Sequence, residues 1–214
     1  MKVASARNTK PVSSYRFSEN SWHRCDGLAG CVGLGIPRNA IAKACEAGRL
    51  VRVAHGAYRM AGVPASQLDD LAALWKLTDP AKMTHERMQA GEWDGVTVAG
   101  STAASILGIG DFYLSPYRIL APRRINSRNA EARFGIRGVP RDDVSFIEGI
   151  PVTGAERTLV DLVLDGEEPS LVQDAFADAR AKGLDTEKLE RLAAEAKASA
   201  RERKTMERLF GGEA

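Results

Sequence analysis

Residues 35–60, GIPRNAIAKACEAGRLVRVAHGAYRM, constrain this chain more than any other stretch, because a helical spacing of apolar residues gives way within it to two β-prone runs. Ile41, Ala44 and Cys45 recur at steps of three and four, while Arg38, Asn39, Lys43 and Glu46 fall elsewhere, which predicts a short amphipathic helix. Pro37 suits the beginning of that helix, where a missing N–H removes no hydrogen bond. Gly48 suits its end, since glycine takes the left-handed conformation after a last turn at least steric cost. Residues 50–53 and 57–60 then read as strands separated by Ala54, His55 and Gly56, a hairpin turn. A helix followed at once by a hairpin is the outline of a winged helix-turn-helix.

The polar residues of this stretch give the outline a function. DNA is read by a helix whose first side chains reach base edges, while neighbouring cations and backbone N–H groups hold phosphates. Pro37, Arg38 and Asn39 open the predicted helix and Lys43 follows one turn on; Arg49, Arg52, His55 and Arg59 line the predicted wing. Arginine matches guanine and asparagine matches adenine as bidentate partners in the major groove. The plainer reading of the same residues is a solvated face on an ordinary helix and hairpin. Charge favours DNA. Residues 1–60 hold ten Lys or Arg against three Asp or Glu, a net of +7, while the remainder holds twenty against twenty-five, a net of −5, so the basic surface is expected at the N-terminal side.

A chain of 214 residues, 44% hydrophobic, can bury a sizeable core in one large or two small domains. Three cysteines without a repeating framework point to a reducing, cytoplasmic setting. Cys25, Cys31, Cys45 and His23 lack the close pairing of structural zinc sites, so neither metal nor cofactor is expected. The first sixteen residues are basic without an apolar run behind them, which predicts a flexible arm and no membrane segment.

Along the chain, residues 17–34 are expected to supply the helix before the DNA-reading helix, although Gly27, Gly30 and Gly33 weaken it. A linker is expected at residues 62–66, dividing a domain of residues 1–63 from one of residues 64–214. The second domain should hold a helix over 67–77 capped by Ser66, a surface helix near 83–93, strands at 95–99, 117–121, 132–137 and 144–147, and a helix of small residues over 100–107. Residues 149–152 continue after a turn, Thr153 caps a helix over 155–164, and helices follow over 169–182 and 185–209. The basic loop of Arg123, Arg124 and Arg128 reads as a solvated turn or as a second phosphate contact.

The runs GRLVRVAHGAYRM, VTVAGSTAASILGIGDF, LAPRR and IEGIPVTGAERTLVDLV, in this order, resemble the AbiEi antitoxin family of type IV toxin-antitoxin systems over about residues 35–185. The resemblance implies an α+β chain: an N-terminal winged helix-turn-helix that binds and represses its own promoter, then a mixed α/β antitoxin domain ending in helices. It also implies a functional partner, an AbiEii-like nucleotidyltransferase toxin, countered without necessarily forming a stable complex. Thr153, Glu156, Arg157 and Asp161 fall in the most recognisable antitoxin stretch. Their local reading is structural: Glu156 suits a helix dipole, and Arg157 and Asp161 are spaced for an ion pair. A regulator or interaction protein without a toxin partner is the alternative function. A nuclease built from Lys82, Asp142, Asp143 and Glu148 has no supporting spacing, and no nucleotide-binding or hydrolase motif is present.

Overall fold

The computed structural model describes residues 26–27 and 37–211, which form two compact units, Met1–Glu92 and Trp93–Ala214. In the first, helix α1 (Arg38–Glu46) runs into the antiparallel hairpin of β2 (Leu50–Ala54) and β3 (Ala57–Met60), with Gly48 at φ +66 after the helix. Strand β1 (Asp26–Gly27) pairs with β3, completing a sheet of order β1-β3-β2. So this part of the glycine-rich segment is strand, not the expected helix; the rest of residues 17–34 lies outside the described residues.

Helix α2 (Asp69–Lys76) packs on the hairpin: Ala57 and Ala73 are buried together, with Val53, Ala54 and Leu77 against them. The expected linker at residues 62–66 therefore joins elements of one unit. Ser66 does organise the approach to α2, accepting from the Leu68 N–H at 3.1 Å while Asp69 accepts from Ser66 N–H at 3.2 Å. Helix α3 (Thr84–Met88) is held inward by Arg87, whose guanidinium lies 3.8 Å from the Trp75 ring centroid and donates to the Trp75 carbonyl at 3.1 Å. That buried arginine corrects the expectation of a wholly surface helix: burial of the charge is offset by stacking and hydrogen bonding.

The second unit is a mixed five-stranded sheet with helices. Its strands are β4 (Thr97–Val98), β5 (Tyr117–Ala121), β6 (Ala132–Ile136), β7 (Val144–Ile147) and β8 (Ile150–Thr153), in the order β6-β5-β4-β8-β7. Pairs β5–β6 and β4–β8 are parallel, whereas β4–β5 and β7–β8 are antiparallel. Helix α4 (Gly100–Leu107) follows β4, and α5 (Ala155–Leu164), α6 (Pro169–Ala181), α7 (Thr186–Glu195) and α8 (Ala200–Phe210) follow β8. In one apolar cluster of its core, Leu159, Leu162 and Val163 of α5 meet Val172 and Ala175 of α6, Leu189 of α7, and Met206 and Phe210 of α8. A fully buried leucine of this kind contributes roughly 1.5–3 kcal/mol, so α5 anchors the unit.

Two helix ends differ from expectation. Gly154 is the N-cap of α5, and Thr153 belongs to β8, where its hydroxyl hydrogen-bonds that of Thr158 at 2.7 Å. The span expected as one helix over 185–209 is broken at residues 196–199, because Ser199 accepts from Glu202 N–H at 3.3 Å while Glu202 accepts from Ser199 N–H at 2.6 Å. That reciprocal pair is a capping box, and it starts α8 anew.

Candidate nucleic-acid interface and antitoxin segment

Helix α1 has two unlike sides. Ile41 and Ala44 are buried, with Cys45, Leu50 and Tyr58 packed around Ile41, and this fixes the helix against the hairpin. Arg38, Asn39 and Lys43 are left exposed on the other side. Pro37 is the N-cap, in extended conformation, and its carbonyl accepts from Ala40 N–H at 2.9 Å and Ile41 N–H at 3.3 Å. No acidic side chain occupies the first turn, so the positive end of the helix dipole adds to Arg38 there.

On the hairpin, Arg49, Arg52 and His55 are exposed. The Arg52 guanidinium lies 2.8 Å from His55 Nδ1 and 3.4 Å from the Ala54 carbonyl, so the tip of the wing is braced by its own side chains. Arg59 departs from the expected phosphate-facing role. Its side chain is only 11% exposed, ion-paired to Asp69 at 3.1 Å and hydrogen-bonded to the Val63 carbonyl. It fastens the wing to α2. Of the eight residues expected to meet DNA, Arg38, Asn39, Lys43, Arg49, Arg52 and His55 are exposed, Pro37 shapes the helix start, and Arg59 is engaged internally.

In the second unit, Arg157 and Asp161 form the expected pair one turn apart on α5, at 3.3 Å. They are part of something larger. Asp161 is fully buried and also takes a hydrogen bond from Arg137, just after β6; Asp165, at the end of α5, is gripped by Arg118 of β5, with Nε at 2.6 Å. Arg157 also reaches Asp143 at 3.4 Å, and Lys188 of α7 reaches the same carboxylate at 3.5 Å. Glu156 accepts from Asp185 N–H at 3.1 Å, tying the start of α5 to the cap of α7. The network links sheet and helices through charge.

Close packing makes room for it. A Cβ on Gly135 would stand 2.8 Å from the Arg118 guanidinium, and one on Gly100, at φ +53, would stand 2.8 Å from Asp165 Oδ2. Burial pushes the Asp161 carboxyl up to about 6 despite the lowering effect of Arg157 and Arg137. The hydrogen bond that Arg118 donates to Asp165 raises the Arg118 guanidinium above its ordinary value. These ion pairs are costly to desolvate and costly to break from one side only. Sequence reading missed Asp69, Arg118, Arg137, Asp165 and Lys188, and with them the pairing of Asp143 to Arg157 and Lys188. One signal was available: Arg118 sits within the apolar run YRILA, where a charge needs a partner.

Lys82 pairs with Glu92 at 2.7 Å, and Asp143 is held by Arg157 and Lys188. Among the described residues no cluster of His, Cys, Asp or Glu could hold a metal ion, and no helix is long and apolar enough to cross a membrane. His23, Cys25 and Cys31 lie outside the described residues, and Cys45 is part-buried beside Ile41.

Comparison with known proteins adds to this geometry. A family model described as a transcriptional regulator, AbiEi antitoxin, matches residues 29–61, and one described as the AbiEi antitoxin C-terminal domain matches residues 96–209. No curated protein matches the chain. Among solved structures, the RV2827C protein from Mycobacterium tuberculosis is similar, with a TM-score of 0.53 and 19% identity over 81% of this chain and 64% of that one. At that identity the likeness concerns the fold. The chain spans less than two thirds of that protein's length. With the helix-and-wing region matching the regulator model and the sheet-and-helix unit matching the antitoxin model, the chain belongs to the AbiEi antitoxin family.

Proposed function

We propose that this antitoxin binds duplex DNA at the promoter of its own operon and represses it, and that it counters a nucleotidyltransferase toxin of the AbiEii kind without needing a stable complex. The observation that carries the DNA reading is the exposure of Arg38, Asn39 and Lys43 on α1 beside Arg49, Arg52 and His55 of the wing. Arg38 and Asn39 read bases from the helix start, and Lys43, Arg49, Arg52 and His55 hold phosphates. The protein acts in the cytoplasm, as promoter binding requires.

The antitoxin role belongs, in this reading, to the unit Trp93–Ala214, where Glu156 and Arg157 are the most accessible of its four expected residues. Thr153 and Asp161 are buried and act through the fold. No chemistry of the chain's own is assigned to this role. The test is a mobility-shift titration of the full chain on its own promoter, with a toxicity rescue assay using the toxin encoded alongside. A retarded promoter complex that unrelated DNA does not compete away, together with rescue, is expected. Equal competition by unrelated DNA, or no rescue, would contradict the respective half of the reading.

A further inference from the structure

Strand β6 is an edge of the five-stranded sheet. Tyr117 N–H donates to the Glu131 carbonyl at 2.7 Å and Arg137 N–H to the Ala121 carbonyl at 2.7 Å, so residues 131, 133, 135 and 137 face β5. Alternation then turns the backbone N–H and C=O groups of Ala132, Phe134 and Ile136 to the open side. Their side chains share one face of the sheet, and Ile136 is 71% exposed. The opposite edge is protected: on β7, Val144 and Phe146 face outward, and Arg141 donates to the Val144 carbonyl at 3.3 Å while its guanidinium lies 4.4 Å from the Phe146 ring centroid. On β6 the comparable cover is confined to Ala132, whose N–H donates to the Asn129 carbonyl at 3.2 Å and whose own carbonyl Arg133 reaches at 3.2 Å. Phe134 and Ile136 have none among the described residues. An edge of this kind is a template for another strand.

We propose that the occupant is a second copy of this chain, with the two β6 strands running antiparallel about a two-fold axis at Phe134. The sequence is self-complementary in that register. Ala132 meets Ile136 of the second copy, Phe134 meets Phe134, and Ile136 meets Ala132, so all outward-facing residues fall into hydrogen-bonded pairs. Arg133 stands opposite Gly135, which offers no side chain to collide with, and Glu131 stands opposite Arg137, a pairing of opposite charges. No cation is directly opposite a cation. A shift of one residue would place outward-facing groups opposite inward-facing ones and lose the ladder. The contact is isologous and closed, as a two-fold dimer requires. Pairing displaces the Arg133 contact to the Ala132 carbonyl and the Ala132 N–H bond to the Asn129 carbonyl, two bonds that the new ladder replaces.

The register makes the test specific. With Cys25, Cys31 and Cys45 changed to Ser in the full chain, Phe134→Cys brings two thiols together at the axis, where the Cα separation of a hydrogen-bonded pair, about 5.5 Å, suits a disulfide. Under mild oxidation it should form covalent dimer about tenfold or more faster than Tyr113→Cys, which is 85% exposed but away from the strand. Arg133→Cys, aligned with Gly135, should not crosslink to itself. Ile136→Pro removes only an outward N–H, so it should keep the circular dichroism of the parent while abolishing dimer in sedimentation equilibrium. A parent that sediments as monomer at all concentrations, or Phe134→Cys and Arg133→Cys crosslinking at equal rates, would overturn the proposal. Dimer that survives Ile136→Pro would place the contact elsewhere and overturn it equally.

Discussion

The two units use arginine in opposite ways. On α1 and the wing, Arg38, Arg49 and Arg52 stand in solvent beside Asn39, Lys43 and His55. In the sheet-and-helix unit, Arg118, Arg137 and Arg157 are drawn against Asp143, Asp161 and Asp165, and they tie β5 and β6 to α5. A guanidinium with no carboxylate partner is available to a phosphate; one clamped between buried carboxylates is committed to the fold. Arg59 shows that position in the sequence does not decide between the two uses, since it lies in the wing yet is held by Asp69.

The largest effect should come from removing the centre of the buried network. Asp161→Ala leaves Arg137 and Arg157 without the carboxylate between them, and the loss expected is about 3–5 kcal/mol of stability. Urea denaturation followed by probes in each unit should show the sheet-and-helix transition moving while that of the wing stays. A shift below about 1 kcal/mol would contradict a structural role for the network.

The same carboxyl sets a pH dependence. Its folded value, about 6, lies above its ordinary 3.8. The stability it contributes is thus fully present below 3.8 and is lost as the pH rises through about 6. Measured between pH 4 and pH 7, Asp161→Asn should show a weaker fall in stability than the parent, by an amount of up to about 3 kcal/mol. Identical pH profiles for the two proteins would show that burial does not hold this carboxyl up.

Sequence alone made much of this legible, for identifiable reasons. Helix α1, the hairpin, α4 and α5 follow from apolar spacing and glycine position, because each element carries its own period and its own stop. The ion pair of Arg157 and Asp161 was legible because it is local. Arg118 with Asp165, and Arg137 with Asp161, were not, since their partners are brought together only when the sheet closes on α5. Arg59 was misplaced for the same reason: its period put it on the wing, and a contact ten residues away turned it inward. The break before α8 is different. Ser199 and Glu202 carry the spacing of a capping box in plain sight, and a long Ala-, Glu- and Lys-rich run masked it.

Smaller effects belong to the exposed residues. Arg38→Ala and Asn39→Ala should each remove roughly 1–3 kcal/mol of discrimination between the promoter and random DNA, with unchanged melting, as competition binding and calorimetry would report. Arg52→Ala should weaken binding to all DNA alike and lower the salt slope by about 0.9. Arg59→Ala should act on stability first, because it frees Asp69 inside the unit, and should leave the salt slope where it was. Equal slopes for the Arg52 and Arg59 variants would erase the distinction between solvent-facing and clamped arginines.

The most direct test of the account is the dependence of promoter affinity on salt, measured by fluorescence anisotropy with the full chain. Exposed Lys43, Arg49 and Arg52 each neutralising one phosphate predict a slope of log K against log salt of about −2 to −3. The Arg49→Ala and Arg52→Ala double variant should be shallower by about 2. A slope near zero, or one that the double variant leaves unchanged, would contradict the claim that α1 and the wing are the DNA-binding surface.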